Sequence, residues 1–131
     1  MTTGYSVTLR NAQLDPITTA VGNAGLLRVY DGTRPATGGA ATVKLAEFTL
    51  GTPFAPAAAA GVLSPTLPSS TTGLAASTAS WFRVVTSGGT QVIDGSVTAT
   101  GGGGDLQLNT TTISIGLTIN VTSWSITRGN P

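Results

Sequence analysis

Asp31, Glu47, Asp94 and Asp105 are the residues of this chain best suited to acid–base chemistry. Two such carboxylates facing each other across a scissile bond would make a glycosidase-like acid and base. Their contexts predict something plainer. Asp31 and Asp94 each precede a glycine, and Asp105 follows a glycine run, so turn roles account for all three. Glu47 falls inside a strand-like segment. Nucleophilic chemistry has less support. Serines and threonines abound, but the chain has no histidine to activate a hydroxyl. Lys44 is the only lysine, and no Ser–Lys motif surrounds it. The absence of cysteine removes disulfides and thiolate metal sites, and the absence of histidine removes the commonest zinc ligand. Residues 101–105 (GGGGD) lack the lysine and the following helix that phosphate cradling needs. Asp31, Asp94, Asp105 and Asn109 offer oxygens to calcium, without EF-hand or nonapeptide spacing. The expectation is a protein that is not an enzyme and carries no metal and no cofactor.

Four residues remain as candidates for binding. Trp81 and Trp124, with Tyr30 beside them, could stack on sugars, although most tryptophans of small β domains belong to a core or a subunit interface. Arg83 alternates with Trp81 along one strand. A salt bridge to Asp94 across a hairpin is the simplest role for it, and an interface anchor is the other. Tyr30, Trp81, Arg83 and Trp124 are therefore the interface candidates.

Charge narrows the partners. Charged residues make up 8% of the chain and the formal net charge is +1, which gives no electrostatic footprint for nucleic acid or membrane. No run approaches 18 apolar residues, and residues 1–5 (MTTGY) do not begin a signal peptide. Soluble monomers protect sheet edges with lysine, proline or inward charges, and this chain has few of these to deploy. The inference is a surface of Thr, Ser, Gly, Asn and Ala, much of it covered by partner subunits.

The elements that must position these residues are mainly β. At 131 residues a single β domain spanning 1–131 is expected. One short helix is predicted over 11–22 (NAQLDPITTAVG), where Leu14, Ile17 and Val21 share a face. Asn11 is its expected N-cap, or Asp15 if Pro16 marks the first turn. Strands follow at 26–31 and 42–50; in the second, Lys44, Ala46, Phe48 and Leu50 form the expected core face. A Pro/Ala-rich connection covers 51–70, with Val62 and Leu63 as a short edge strand. Residues 79–87 and 90–100 flank Gly88-Gly89, a two-residue hairpin signal. Then come a flexible glycine loop at 101–104, a strand at 105–109 with Leu106 and Leu108 inward, and a long closing strand region, 113–127. A register change before Trp124 predicts a bulge near Thr122-Ser123. The fold class predicted is mainly β, an antiparallel β-sandwich or jelly-roll-like fold with one short N-terminal helix.

Three segments carry a family resemblance: 11–22 (NAQLDPITTAVG), 26–35 (LLRVYDGTRP) and 79–97 (ASWFRVVTSGGTQVIDGSV). The pattern of a helix, then L-R-V-Y-D-G-T-x-P, then W-F-R-V-x-x-x-x-G-T-x-V-x-D-G-S-V resembles a group of small structural proteins of tailed bacteriophages. It covers nearly the whole chain, and Pro16 departs from the uninterrupted helix of the group. The resemblance implies a virion structural protein, made in the host bacterial cytoplasm and carried on the capsid surface. Within that class a capsid decoration (cement) protein is expected, a homotrimer bound to the major capsid protein. The alternative is a tail or tail-fibre component, with glycan binding through Trp81 or Trp124.

Overall fold

The computed structural model describes residues 3–128. The chain opens with helix α1, Val7–Val21. Eleven strands follow: β1 Leu26–Asp31, β2 Lys44–Thr49, β3 Val62–Leu63, β4 Thr71–Thr72, β5 Ser77–Val85, β6 Gln91–Ala99, β7 Leu106–Leu108, β8 Thr112–Ile113, β9 Thr118–Ile119, β10 Val121–Trp124 and β11 Ile126–Thr127. The fold is mainly β with one helix near the N-terminus. Its principal sheet has the order β10-β7-β6-β5-β1-β2, with β8 paired to β5. Two short ribbons, β11-β3 and β4-β9, close around it.

Helix α1 begins four residues before the expected start. Ser6, in an extended conformation, accepts the Leu9 N–H on its hydroxyl at 3.1 Å and caps the helix. Asn11 and Asp15 are thus interior residues, not caps. Their side chains face the Pro/Ala-rich connection, where Asn11 Oδ1 accepts the Gly61 N–H and Asp15 Oδ1 the Ala58 N–H. Pro16 lies within the helix and removes one backbone donor. The buried face carries Leu14 and Val21, with Ile17 packed beside them, as the spacing predicts. Gly22, at φ 69°, ends the helix by donating to the Thr18 carbonyl.

The core lies on the inner face of the sheet. Leu27 and Val29 of β1, Phe82 and Val84 of β5, and Leu106 and Leu108 of β7 project into it. In β2 the alternation is broken. A register shift opposite Val29 and Tyr30 buries both Leu45 and Ala46, together with Phe48 and Leu50. Leu45 is therefore buried although it lies outside the core face expected of Lys44, Ala46, Phe48 and Leu50, because a bulge residue obeys no period of two. Phe54, from the connection, packs its ring edge-on against Trp124, 5.3 Å between centroids. Val62 and Leu63 form the short strand expected of them, paired to β11.

The β5–β6 hairpin pairs Phe82, Arg83 and Val84 with Gly95, Asp94 and Ile93, the partners that a Gly88-Gly89 centre dictates. The tip differs from the two-residue loop expected. The register shifts between Val84 and Val85, and Thr86 and Thr90 close a three-residue loop in which Gly89 takes φ 92°.

The pair β6–β7 is parallel, unlike every other pair among the described residues, with Val97 opposite Leu106. Parallel neighbours ordinarily need a crossover of about a dozen residues or more. Here residues 100–105 suffice because they fold back along β6. Gly104 N–H donates to Thr98 Oγ1 and Asp105 N–H to Ser96 Oγ. A Cβ on Gly104 would lie 2.9 Å from the Thr98 nitrogen, so only glycine fits this approach. The glycine run is thus a hydrogen-bonded reversal.

The closing segment is divided into β8 to β11. Gly116, at φ 82°, turns the chain between β8 and β9 and leaves Ile115 77% exposed, so the closing region expected at 113–127 is interrupted there. The predicted bulge is present: the β10–β7 register shifts between Val121 and Ser123. No helix of the described residues is long and apolar enough to cross a membrane.

Candidate functional site

The outer face of the sheet gathers three of the four candidates. Alternation along β1 turns Arg28 and Tyr30 outward while Leu27 and Val29 enter the core. The same alternation on β5 turns Trp81 and Arg83 outward, and antiparallel pairing sets Tyr30 opposite Trp81. Their rings stack with centroids 4.5 Å apart and planes 20° from parallel. The Arg83 guanidinium lies 5.2 Å from the centre of the Trp81 ring, within cation–π range. Across the hairpin, Arg83 Nε donates to Asp94 Oδ1 at 2.8 Å, and Nη2 donates to Oδ2 at 3.0 Å. The cross-hairpin salt bridge expected from the sequence is therefore present as a bidentate pair.

Covering this cluster is the polar loop 33–41, held down as a strap. Its Gly38 N–H donates to Asp94 Oδ2 at 3.0 Å, and its Gly39 carbonyl accepts from Arg83 Nη2 at 2.8 Å. At its base, Trp81 Nε1 donates to the Asp31 carbonyl and to Thr42 Oγ1, each at 3.0 Å. Asp31 Oδ1 accepts the Val43 N–H, and its Oδ2 accepts the Ser77 hydroxyl. The Ser80 hydroxyl donates to the Gly32 carbonyl. The strap shuts out solvent: Trp81 is 1% exposed, Tyr30 5% and the Asp94 side chain 0%.

These contacts set the charge states. Burial opposes ionisation of Asp94, but the Arg83 hydrogen bonds, the Gly38 N–H and the Arg83 charge together outweigh it and hold the carboxyl below its ordinary 3.8. The Asp94 hydrogen bonds raise the Arg83 pKa above the ordinary guanidinium value, against the burial that lowers it. Beside the strap, Glu47 accepts from Arg28 Nε at 2.8 Å and from Lys44 Nζ at 3.1 Å. Burial again opposes its charge, and the two cations keep it below 4.5. For Asp31, the Ser77 hydroxyl and the Val43 N–H lower the carboxyl below 3.8.

Trp124 is separate from this group. It lies on the inner face, 4% exposed, with its ring edge-on to Phe54 and Phe82. Neither tryptophan presents an open ring face on which a sugar could stack. The carboxylates are dispersed as well. Asp105 accepts from Ser96 N and Oγ, Asp15 from Ala58 N, and no group of three acidic residues gathers to hold a metal among the described residues. Asp94 is a strand residue of β6, so the turn role predicted for it gives way to ion pairing.

The sequence reading missed the strap. Its signal was available in part: a bidentate Arg83–Asp94 pair buried on a sheet face must be covered by polar backbone, and Gly38-Gly39 is the segment bare enough to approach. Comparison with protein-family models, with curated proteins and with solved structures finds no match to this chain.

Proposed function

We propose that this chain is a bacteriophage virion structural protein, a capsid decoration protein acting as a homotrimer on the major capsid protein. The observation that carries the proposal is the use made of the pattern residues. Tyr30, Asp31, Trp81, Arg83 and Asp94, the most chemically capable side chains of the phage-like segments, are engaged in fixing one loop to one sheet. Groups buried in this way serve rigidity, and a rigid surface repeated in many copies is what a shell-stabilising protein requires. All five carboxylates accept hydrogen bonds from their own chain, which agrees with a scaffold better than with a reactive pocket. Contact between copies has a candidate site at Leu74 and Ile115, 51% and 77% exposed. They lie on neighbouring loops joined by the Gly116 N–H to Gly73 carbonyl bond.

Quantitative mass spectrometry of purified virions tests the proposal. Decoration predicts a copy number on the scale of the major capsid protein. A handful of copies per particle would move the chain to the tail, and complete absence would remove it from the virion.

A further inference from the structure

One cleft of the sheet's inner face carries a carboxylate with no cation to answer it. The cleft has a volume of about 170 Å³. Gly95 creates it. This residue faces Phe82 across the β5–β6 hairpin, and a Cβ there would collide with the Phe82 ring and lie 3.2 Å from Asp105 Oδ2. The bare position thus sets the Asp105 carboxylate beside an apolar floor. Half-buried Ile93 and Ile126 wall the cleft, and Ser125 brings a hydroxyl to its rim. The Ser125 N–H donates to the Asp105 carbonyl at 3.1 Å and holds the two sides together. Asp94, which also borders the cleft, is already paired with Arg83. Asp105 Oδ2 accepts from Ser96 N and Oγ, and Oδ1 accepts from none of the described residues.

The cations of the chain are mostly spent. Arg28 and Lys44 share Glu47, and Arg83 holds Asp94. Arg10 donates to the Arg128 carbonyl, and Arg128 is engaged by Gln13 and the Tyr5 ring. Arg34 is different. It is exposed on the strap and makes no ion pair, hydrogen bond or ring contact among the described residues. The cleft is smaller than the roughly 300–1,000 Å³ of sites for free drug-sized ligands and suits a single side chain. An arginine stem would lie on Phe82, Ile93 and Ile126 while its planar fork of donors reaches Asp105 Oδ1 and Ser125. Asp15 borders a second cleft, of about 220 Å³, whose walls are Ala55, Pro56, Ala57 and two threonines, with no large apolar side chain to receive such a stem.

We propose that Arg34 of one copy inserts into the Asp105 cleft of a second copy. The strap covers the outer face of the sheet, whereas Phe82 and Ile93 belong to the inner one. The contact is therefore head-to-tail and closes into a ring instead of a two-fold dimer. It rests on the homotrimer proposed above and supplies that assembly with an arginine anchor.

Sedimentation of the purified chain tests it, with the folding of each variant checked by circular dichroism. Arg34→Asp, on an exposed loop, and Asp105→Lys should each weaken self-association about tenfold. Asp105→Asn, which keeps an oxygen for Ser96, should weaken it less. Arg34→Asp combined with Asp105→Lys should restore association, which mere damage to the cleft would not. Asp15→Asn should assemble as wild type. Association that Arg34→Asp leaves unaltered would overturn this contact and leave the homotrimer standing, as would failure of the double variant to associate. A wild type that stays a single chain at every concentration would overturn the contact and the homotrimer together. If that single chain binds shells and Asp105→Lys abolishes the binding, the cleft belongs to a cation of the shell protein, and the second copy is overturned as its occupant.

Discussion

Trp81 and Trp124 show how one residue type serves two ends on opposite faces of one sheet. Trp81 satisfies its Nε1 with two acceptors, whereas the buried Trp124 Nε1 has no partner. An unsatisfied buried donor costs about 1–3 kcal/mol. Trp124→Phe should therefore change stability by less than about 1 kcal/mol, since the lost area is offset by removal of that donor. Trp81→Phe should cost about 2 kcal/mol, because it removes the indole hydrogen bonds to the Asp31 carbonyl and Thr42 Oγ1 and weakens the stack on Tyr30. Urea denaturation of both variants checks the contrast. Asp94→Asn should cost about 3 kcal/mol by leaving the Arg83 charge without its counter-ion. The pH dependence follows from the same carboxylates. Asp31, Glu47 and Asp94 are all depressed on folding. Their stabilisation is complete above the ordinary values of 3.8 and 4.5 and is lost as pH falls through the lower folded values. With no histidine or cysteine in the chain, stability should be nearly flat from about pH 5 to about pH 8 and decline below about pH 4. A transition centred near pH 6 in thermal melts would contradict this.

Among the elements, the reversal between β6 and β7 makes the strongest demand on sequence. Gly104→Ala should cost about 1–3 kcal/mol, since its Cβ would meet the Thr98 backbone at 2.9 Å. Gly51→Ala meets nothing within 4 Å and serves as the neutral control in the same melts. Much of the strand layout was legible from alternation. β1, the β5–β6 register around Arg83 and Asp94, the inward leucines of β7 and the bulge at β10 all follow from period two and turn residues. What was not legible depended on long-range pairing. The parallel β6–β7 pair needs Thr98 and Ser96 to receive the loop. The bulge that buries Leu45 needs β1 as its partner. The early start of α1 depends on Ser6, a cap ahead of Val7 and Thr8, whose β-branched side chains are weak helix formers. Of the site, Tyr30, Trp81, Arg83 and Trp124 were legible as interface candidates, but neither the separation of Trp124 from the other three nor the strap over them was, because a loop's destination is not written in its own residues.

At the scale of the molecule, a nearly uncharged chain with a fixed outer face fits assembly better than solitary life. As a homotrimer, three chains of 13.0 kDa should give a solution mass of about 39 kDa by light scattering, whereas a single-chain mass at all concentrations would argue against self-assembly. That measurement bears on the subunit count alone. The central claim concerns place, and an image reconstruction of virions with and without this gene tests it most directly. The account predicts density for the chain on the outer surface of the head, at repeated positions over capsid subunits, that vanishes when the gene is removed. Unchanged head density, with the loss confined to the tail, would contradict it.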